Sequence, residues 1–198
     1  MEVGLFFGSF NPVHIGHLVI ANTMLTCARI KQVWFVVSPQ NPLKNKAQLA
    51  SEYDRLRMAE LAIEDNDGFR VSNIEFSLPK PSYTIDTLQF LEERHKNYYT
   101  FSLIMGSDNL LHFHKWKNYS VILENYSLLV YQRPGSEKST FHNHSAVTIV
   151  NAPVLHISAT AIRKTISSSK SIRYLVPKKV EEYIRNNNLY KPLKAKNK

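Results

Sequence analysis

Two histidines, His14 and His17, lie three residues apart near the beginning of the 198-residue chain, after a loop that contains Gly8 and Pro12. Imidazole nitrogens can donate hydrogen bonds to phosphate oxygens, and Gly16 removes a side chain from the space between the two rings. If a helix begins at this point, its first N–H groups and the positive end of its dipole favour the same anion. The spacing therefore predicts a phosphate-binding loop, against the alternative that two histidines stand here by chance.

A metal site is a weaker interpretation of this histidine pair. Zinc normally takes three or four protein ligands, and no third ligand lies near His14 and His17 in the sequence. Cys27 is the only cysteine of the chain, which excludes an internal disulfide and a cysteine-rich metal site. We therefore expect no metal held by protein ligands, and the single cysteine favours a reducing, cytoplasmic setting.

A second group of polar residues, Ser158, Thr160 and Arg163, lies near the other end of the chain. The two hydroxyls stand at a predicted helix start, and the arginine follows one turn later, where it can reach the same anion. A plain helix cap with a surface arginine is the alternative, because serine and threonine caps are common. Two such groups at opposite ends of one chain favour a shared phosphate site.

Strands and helices alternate along the chain between these two groups. We predict strands at 2–7, 32–37, 69–73, 100–105, 127–131 and 147–150, and helices at 16–28, 51–63, 82–94, 158–166 and 177–185. Strands separated by helices imply a parallel sheet with right-handed crossovers, and such sheets bind ligands beyond the carboxyl ends of their strands. We expect one α/β domain over 1–190, a Rossmann-like three-layer sandwich with a mostly parallel central sheet, and a basic tail over 191–198. The helices from about 158 onwards would complete the phosphate site predicted at this edge of the sheet.

Capping residues are predicted at the beginnings of four helices, because short polar side chains satisfy the N–H groups that a helix leaves unpaired. The predicted residues are Ser51 with Asp54, Ser82 or Thr84, Ser158, and Pro177 at the first helical position. The polar stretch 133–145 is predicted to be a mobile loop.

Composition limits the class of protein. Hydrophobic residues make up 43% of the chain, which suffices for a buried core, and no apolar stretch is long enough to cross a bilayer. The apolar residues 1–7 have neither a basic segment nor a cleavage site, so no signal peptide is expected. The net charge of +9 suits nucleic acid or nucleotide phosphates, but no RNA-binding signature accompanies it. We expect small-molecule substrates, no nucleic acid and no membrane partner, with a homo-oligomer left open.

The segment Gly8–His17, GSFNPVHIGH, resembles the signature of the HxGH nucleotidyltransferase superfamily. The segment Ile157–Arg163, ISATAIR, resembles the second motif of that superfamily, ISSTxIR, with Ala159 in place of one serine. The superfamily includes the adenylyltransferases that use nicotinate mononucleotide, nicotinamide mononucleotide or phosphopantetheine as acceptor. The resemblance implies an α/β fold of the nucleotidyltransferase type.

Three internal segments resemble, more narrowly, the bacterial nicotinate mononucleotide adenylyltransferases. Pro81–Leu88 is similar to their SYTxDTL stretch, where a helix start receives the pyridine carboxylate. Met105–Leu110 with Trp116 is similar to their GxD segment and its downstream tryptophan, which can stack on a pyridine ring. Ser38–Lys44 keeps the family's lysine but has Leu43 where the family has a histidine. Shorter matches are Arg133–Gly135 and Arg173–Pro177.

The resemblance implies an enzyme of NAD biosynthesis that transfers AMP from ATP to nicotinate mononucleotide and releases pyrophosphate, with Mg²⁺ carried by ATP. The acceptor phosphate would attack ATP directly, without a covalent intermediate. The residues expected in catalysis are His14, His17, Lys44 and Arg163. Those expected to bind ATP are Gly8, Ser9, Phe10, His14, Gly16, His17, Gly106, Asp108, Ile157, Ser158, Thr160 and Arg163. Those expected to bind the acceptor are Asn11, Lys44, Ser82, Tyr83, Thr84, Trp116 and Arg133.

Three alternatives stay open at this point. A different acceptor, nicotinamide mononucleotide or phosphopantetheine, would use the same chemistry. A nucleic-acid-binding module is suggested by the net charge and by the HIGH element at His14–His17, which resembles that of class I aminoacyl-tRNA synthetases, but an anticodon domain would not fit in this length. A regulatory nucleotide-binding protein without catalysis is less expected, because both motifs are intact.

Overall fold

A sheet of six parallel strands forms the centre of the molecule. In the computed structural model, which describes residues 1–39, 49–133, 135 and 137–191, the strand order is β3-β2-β1-β4-β5-β6. The strands are β1 (Glu2–Gly8), β2 (Gln32–Val37), β3 (Phe69–Ser72), β4 (Thr100–Gly106), β5 (Ser127–Tyr131) and β6 (Val147–Val150). Every neighbouring pair is parallel, which confirms the α/β fold predicted from alternating strands and helices.

Besides two 3₁₀ helices, Ile74–Phe76 and Phe113–Lys115, the described part of the chain contains seven α-helices. They are α1 (Ile15–Cys27), α2 (Glu52–Ile63), α3 (Thr84–Arg94), α4 (Ser107–Leu111), α5 (Tyr119–Asn125), α6 (Ala159–Ser167) and α7 (Lys178–Asn186). The short helices α4 and α5 were not predicted, because five and seven residues are too few for a helical period to show. None of the helices described is long and apolar enough to span a membrane.

The strands send alternate side chains into two cores, one on each face of the sheet. In β1, Val3 and Leu5 belong to one core and Phe6 to the other. The core around Phe6 is covered by α1, α2, α6 and α7, while α3 and α5 cover the opposite face. The molecule is therefore a three-layer sandwich in which the sheet is buried on both sides.

Two of the predicted helix caps are present. The Ser51 hydroxyl accepts a hydrogen bond from the Asp54 backbone N–H at 3.0 Å and donates to the Asp54 carboxylate at 2.7 Å. The Ser158 hydroxyl accepts from the Ala161 backbone N–H at 3.2 Å. Ser51 thus begins α2 and Ser158 begins α6. The cap at Ser158 positions the second of the two predicted phosphate-binding groups.

Two other helix starts differ from the prediction. Among the described residues no side chain caps α3, whose N-cap is Tyr83, so the predicted cap by Ser82 or Thr84 was wrong. Ser82 instead hydrogen-bonds the buried carboxylate of Glu75, a partner that local sequence does not reveal. Pro177 is the N-cap of α7 and not its first residue, because its ψ of 148° is extended.

The polar loop over 133–145 is anchored in its middle. Ser139 is buried, and its hydroxyl donates to the Leu110 backbone oxygen at 2.9 Å. The Phe141 ring packs against Phe113 and Tyr119, with ring centroids 5.9 Å and 5.8 Å apart. Its polar composition predicted mobility and did not reveal these attachments.

The carboxyl ends of β1, β4 and β5 meet at one edge of the sheet. Gly8 ends β1, and Gly106 ends β4 beside Tyr131 of β5. The histidine loop leaves the sheet directly after β1, and the segment 151–158 connects β6 to α6. Parallel α/β sheets bind their ligands at this edge.

Candidate active site

The imidazole rings of His14 and His17 stack on each other, with centroids 3.7 Å apart. His14 immediately precedes α1, and His17 lies in its first turn. The backbone N–H of His14 donates to Nδ1 of His17 at 3.2 Å. Because Nδ1 acts as an acceptor there, the neutral His17 ring carries its proton on Nε2. The start of α1 thus combines an imidazole donor with the positive end of the helix dipole.

His14 is a neutral imidazole at physiological pH. Only 6% of its surface is exposed, and this burial is the main cause that lowers its pKa from 6.5 to about 4, with the positive charge of Arg133 as the second cause. Its Nδ1 is buried without a hydrogen-bond partner in the described part of the chain. His14 can therefore offer a phosphate a neutral hydrogen bond, whereas positive charge must come from arginines nearby.

Two glycines shape the histidine loop by leaving room for rings. A Cβ on Gly8 would lie 2.8 Å from the Phe10 ring, and a Cβ on Gly16 would lie 3.1 Å from Nδ1 of His14. Phe10 is buried with a left-handed backbone, φ 42°, a conformation that a bulky residue keeps only when its surroundings enforce it. Its ring meets His17 edge-on, with centroids 5.1 Å apart. The space that a side chain at position 8 would need is filled by the Phe10 ring, which supports His17, and ATP binding by Gly8 stays a prediction.

Arg163 connects the second motif to the first. Its Nη1 donates to the backbone oxygen of Asn11 at 2.8 Å, and its Nη2 donates to the Thr160 hydroxyl at 3.3 Å. Its Nε is buried and has no hydrogen-bond partner among the residues described. The helix that Ser158 caps therefore sets a guanidinium beside the loop that leads to His14. The two phosphate-binding groups predicted from opposite ends of the chain meet here.

An ion pair between Asp108 and Arg133, 3.2 Å long, lies at the ends of β4 and β5. Arg133 also donates to the Tyr131 hydroxyl at 3.1 Å. A Cβ on Gly106 would lie too close to the Asp108 carboxylate, so a larger residue there would require that carboxylate to move. Arg133 lies beside Asp108 and close enough to His14 to lower its pKa, and its role at the acceptor site stays a prediction.

The predicted acceptor segment forms the beginning of α3. The Tyr83 carbonyl accepts from the backbone N–H groups of Asp86 and Thr87 at 3.0 Å and 3.2 Å. The Lys117 ammonium lies 4.8 Å from the Tyr83 ring centroid and donates to both Asp86 carboxylate oxygens at 2.9 Å. Since Lys117 follows Trp116 directly, this contact joins the tryptophan segment to the start of α3.

Trp116 is half-buried, and its ring packs against Phe113 with centroids 5.3 Å apart. The geometry allows both this packing and the predicted stacking role, because part of the indole surface stays exposed. The neighbouring His112 and His114 are exposed, as expected for surface histidines.

Glu75 is a buried carboxylate beneath the start of α3, with 3% of its surface exposed. The Thr87 hydroxyl donates to it at 3.0 Å. Burial raises the pKa of Glu75, while hydrogen bonds with Ser38, Thr87 and Ser82 act in the opposite direction. The Ser38 backbone N–H donates to the Gly8 oxygen at 2.9 Å, so Glu75 connects the start of α3 to the histidine loop through Ser38. A single glutamate between apolar residues had given no signal in the sequence.

Arg55 is fully buried and supports the histidine loop from within the fold. Its Nη1 and Nη2 donate to the backbone oxygens of Ser9, Ser38 and Pro39 at 2.8, 2.6 and 2.7 Å, and its Nε donates to that of Ala50 at 3.1 Å. A buried cation needs such acceptors. The sequence interpretation missed Arg55, because an arginine in an amphipathic helix is normally assigned to the surface.

The remaining predicted residues are distributed as follows. Asn11 is buried, and its Oδ1 accepts from the Ala50 backbone N–H at 3.1 Å and from the Tyr190 hydroxyl at 2.7 Å. Ile157 is half-buried and packs against the core. Lys44 lies outside the described residues.

Comparison with known proteins places the chain in a family. The cytidylyltransferase-like family profile matches residues 5–173. A Cytophaga hutchinsonii protein named probable nicotinate-nucleotide adenylyltransferase is 53% identical over 190 residues, covering 96% of this chain and 98% of its own length. A Caldicellulosiruptor bescii protein of the same name is 41% identical, covering 96% of this chain and 100% of its own length.

Solved structures show the same fold. The Plasmodium falciparum nicotinic acid mononucleotide adenylyltransferase complexed with NaAD superposes with a TM-score of 0.81 at 21% identity, covering 96% of this chain and 97% of its own. The same enzyme complexed with APC gives a TM-score of 0.78 at 19% identity, covering 96% of each chain. The family resemblance drawn from the two motifs is confirmed: this chain belongs to the cytidylyltransferase-like family and, within it, to the nicotinate-nucleotide adenylyltransferases.

Proposed function

We propose that this enzyme transfers the AMP part of ATP to nicotinate mononucleotide, which gives nicotinate adenine dinucleotide and pyrophosphate for NAD biosynthesis. The names of relatives that are 41–53% identical over nearly the whole chain support this activity. The observation that carries it is the 2.8 Å contact of Arg163 with the Asn11 backbone, because it unites both phosphate-binding groups at one edge of the sheet.

The proposed reaction is one direct displacement. An oxygen of the acceptor's phosphate attacks the α-phosphorus of ATP, a new O–P bond forms, and the bond from that phosphorus to the bridging oxygen breaks. The electron pair leaves with pyrophosphate, so no covalent enzyme intermediate is needed. The protein then acts by positioning the reactants and by stabilising the developing charge.

His17 and Arg163 have the clearest parts in this mechanism. The Nε2–H group of His17 would donate to a phosphate oxygen as negative charge moves onto the leaving group. The Arg163 guanidinium, held by Asn11 and Thr160, would neutralise the pyrophosphate, and the cap at Ser158 would support it. His14, being neutral, would orient the phosphates by a hydrogen bond. Lys44 remains a predicted further cation.

Magnesium would enter as part of the ATP substrate. Apart from Asp108, which is paired with Arg133, the described phosphate-binding residues supply imidazole, guanidinium and hydroxyl donors. This donor chemistry suits phosphate oxygens, and magnesium typically binds substrate phosphates and waters. Bound there, the ion would withdraw charge from the leaving pyrophosphate.

The acceptor would bind between the start of α3 and Trp116. The first N–H groups of a helix have no partners within the helix, so those of α3 can donate to a carboxylate. Trp116 offers an indole face to a pyridine ring. Lys117, which is adjacent to Trp116, links the two parts because its ammonium group contacts Asp86 and the Tyr83 ring at the start of α3. Because such donors favour an anion, nicotinate is the proposed acceptor over its amide.

We further propose that the reaction takes place in the cytoplasm and involves small molecules only, without nucleic acid or membrane. A single cysteine fits a reducing compartment.

Measurement of pyrophosphate release from ATP with a panel of acceptors tests this proposal. The panel contains nicotinate mononucleotide, nicotinamide mononucleotide, phosphopantetheine and no acceptor, and product masses identify the dinucleotide. We expect release that depends on nicotinate mononucleotide and a product of matching mass. Faster turnover with phosphopantetheine, or ATP binding without any transfer, would contradict the proposed activity.

A further inference from the structure

Tyr190 lies 179 residues from Asn11, and its hydroxyl donates to the Asn11 Oδ1 at 2.7 Å. The backbone oxygen of the same asparagine accepts from Arg163 at 2.8 Å. One residue of the histidine loop is therefore held by two groups from the C-terminal part of the chain. Only Arg163 of these two has a place in the proposed mechanism.

The end of α7 directs Tyr190 to this position. Asn188 has a left-handed backbone, φ 53°, and the Leu189 N–H donates to the Ile184 oxygen at 3.0 Å. The Asn188 N–H donates to the Arg185 oxygen at 3.3 Å, which completes a Schellman motif. This motif reverses the chain, and Leu189 and Tyr190 then pack against the core that carries Phe6 and Phe10.

The surroundings keep the Tyr190 hydroxyl in its donor form. Burial raises the pKa of Tyr190, and although the nearby Arg163 and Arg55 lower it, the net direction is upward. The hydroxyl therefore stays protonated at physiological pH. The Oδ1 of Asn11 also accepts from the Ala50 N–H at 3.1 Å, so the asparagine joins the histidine loop, the loop before α2 and the segment that directly follows α7.

We propose that Tyr190 is a positioning residue for the phosphate site: by fixing Asn11 it holds the backbone oxygen that orients Arg163. The proposal rests on the proposed function for its kinetic consequence. Tyr190 does not touch the reacting atoms in this scheme. Loss of its hydroxyl would loosen Asn11, so that Arg163 would meet the ATP phosphates with a less defined geometry, while the acceptor segment at α3 would be unaffected.

Tyr183 provides a matched control. It lies on α7, and its hydroxyl donates to the Asp54 carboxylate of α2 at 2.9 Å instead of to Asn11. Tyr190→Phe and Tyr183→Phe each remove one hydroxyl and keep the ring, so both variants should fold. They should lower the melting temperature by similar amounts, because each loses one partly buried hydrogen bond of typical strength.

The test compares both variants with the wild type for kcat/KM of ATP, KM of the acceptor, and the ATP Kd from calorimetry. A hydrogen bond of ordinary net strength converts to a change of about threefold to tenfold. We expect Tyr190→Phe to lower kcat/KM for ATP and to raise the ATP Kd by such a factor, with an unchanged acceptor KM, and Tyr183→Phe to change neither.

ATP parameters within twofold of the wild type for Tyr190→Phe would overturn the proposal, as would equal losses in both variants or an effect on the acceptor alone. The calorimetric comparison needs no turnover. If the wild-type enzyme binds ATP but transfers nothing to nicotinate mononucleotide, the proposed function fails, and the ATP Kd of the two variants still decides the role of Tyr190.

Discussion

The Arg163 guanidinium and the Asn11 backbone oxygen are 2.8 Å apart although 152 positions separate the two residues in the chain. This contact sets the positive charge of α6 beside the loop that carries the two histidines. In the proposed function a phosphate chain is bound along its length, so the proposal depends on the meeting of both groups.

Replacement of His17 by alanine should reduce turnover by about 10²–10³, since a donor used in the transition state typically contributes this much. The fold should persist, because its core does not depend on the imidazole. Steady-state kinetics and a melting curve measure both effects, with the exposed His112→Ala as the control variant. A folded His17→Ala enzyme with near-normal turnover would remove His17 from the mechanism.

Arg163→Ala should weaken the use of ATP more than that of the acceptor. Truncation of a charged partner of phosphate should cost about 1.5–3 kcal/mol in kcat/KM for ATP. Arg163→Lys keeps the charge but loses the forked geometry that reaches Asn11 and Thr160, so its activity should be intermediate. Titration of each substrate at saturating levels of the other gives the comparison. If only the acceptor's KM responds, the division of the site is wrong.

The free energy of unfolding should decrease as the pH is lowered from about 6.5 to about 4, because His14 is buried as a neutral ring. Its pKa is lower in the folded protein, so the unfolded chain binds a proton first as the pH falls. The contribution of His14 to the free energy of unfolding is complete above the pKa that it has in the unfolded chain. Near pH 5 this contribution should be smaller by about 2 kcal/mol. Urea unfolding of the wild type and His14→Gln at several pH values measures this. Parallel pH profiles for the two proteins would show that His14 is not buried as a neutral ring.

Nicotinate mononucleotide should be preferred over nicotinamide mononucleotide by at least about tenfold in kcat/KM. The two acceptors differ only in carboxylate against carboxamide, so stacking on Trp116 should hardly separate them. Helix N–H groups are donors only, and a charge-assisted hydrogen bond is about twice as strong as a neutral one. The helix dipole adds about 0.3–1 kcal/mol, and about 1.4 kcal/mol is one decade.

Comparison of kcat/KM for both acceptors at fixed ATP and magnesium checks this preference. Trp116→Phe serves as a further variant, since it should weaken both acceptors while keeping their ratio. Equal values for the two acceptors in the wild type would reject the acceptor assignment but leave the adenylyl transfer in place.

Local sequence was sufficient for the features whose causes are local. Apolar runs such as 32–37 predicted buried strands, and Ser51 and Ser158 predicted helix starts, because strand burial and N-caps depend on neighbouring residues. The histidine loop and the second motif were recognised in the same way, from residue types at fixed short spacings.

Tertiary structure decided what depends on distant partners. The buried arginine Arg55, the carboxylate of Glu75 and the hydroxyl of Tyr190 carry no local pattern, since each is a polar residue that sequence places on the surface. They became interpretable only when the fold brought backbone oxygens and hydroxyls to them. Arg133 also carried no local signal of its neighbour His14, because Arg133 follows β5 whereas His14 lies in the loop after β1. By itself the sequence determined the fold class and the family, and it predicted the two groups that we propose bind phosphate. The meeting of those groups, and the buried polar contacts that hold them, arise from packing between segments far apart in the chain.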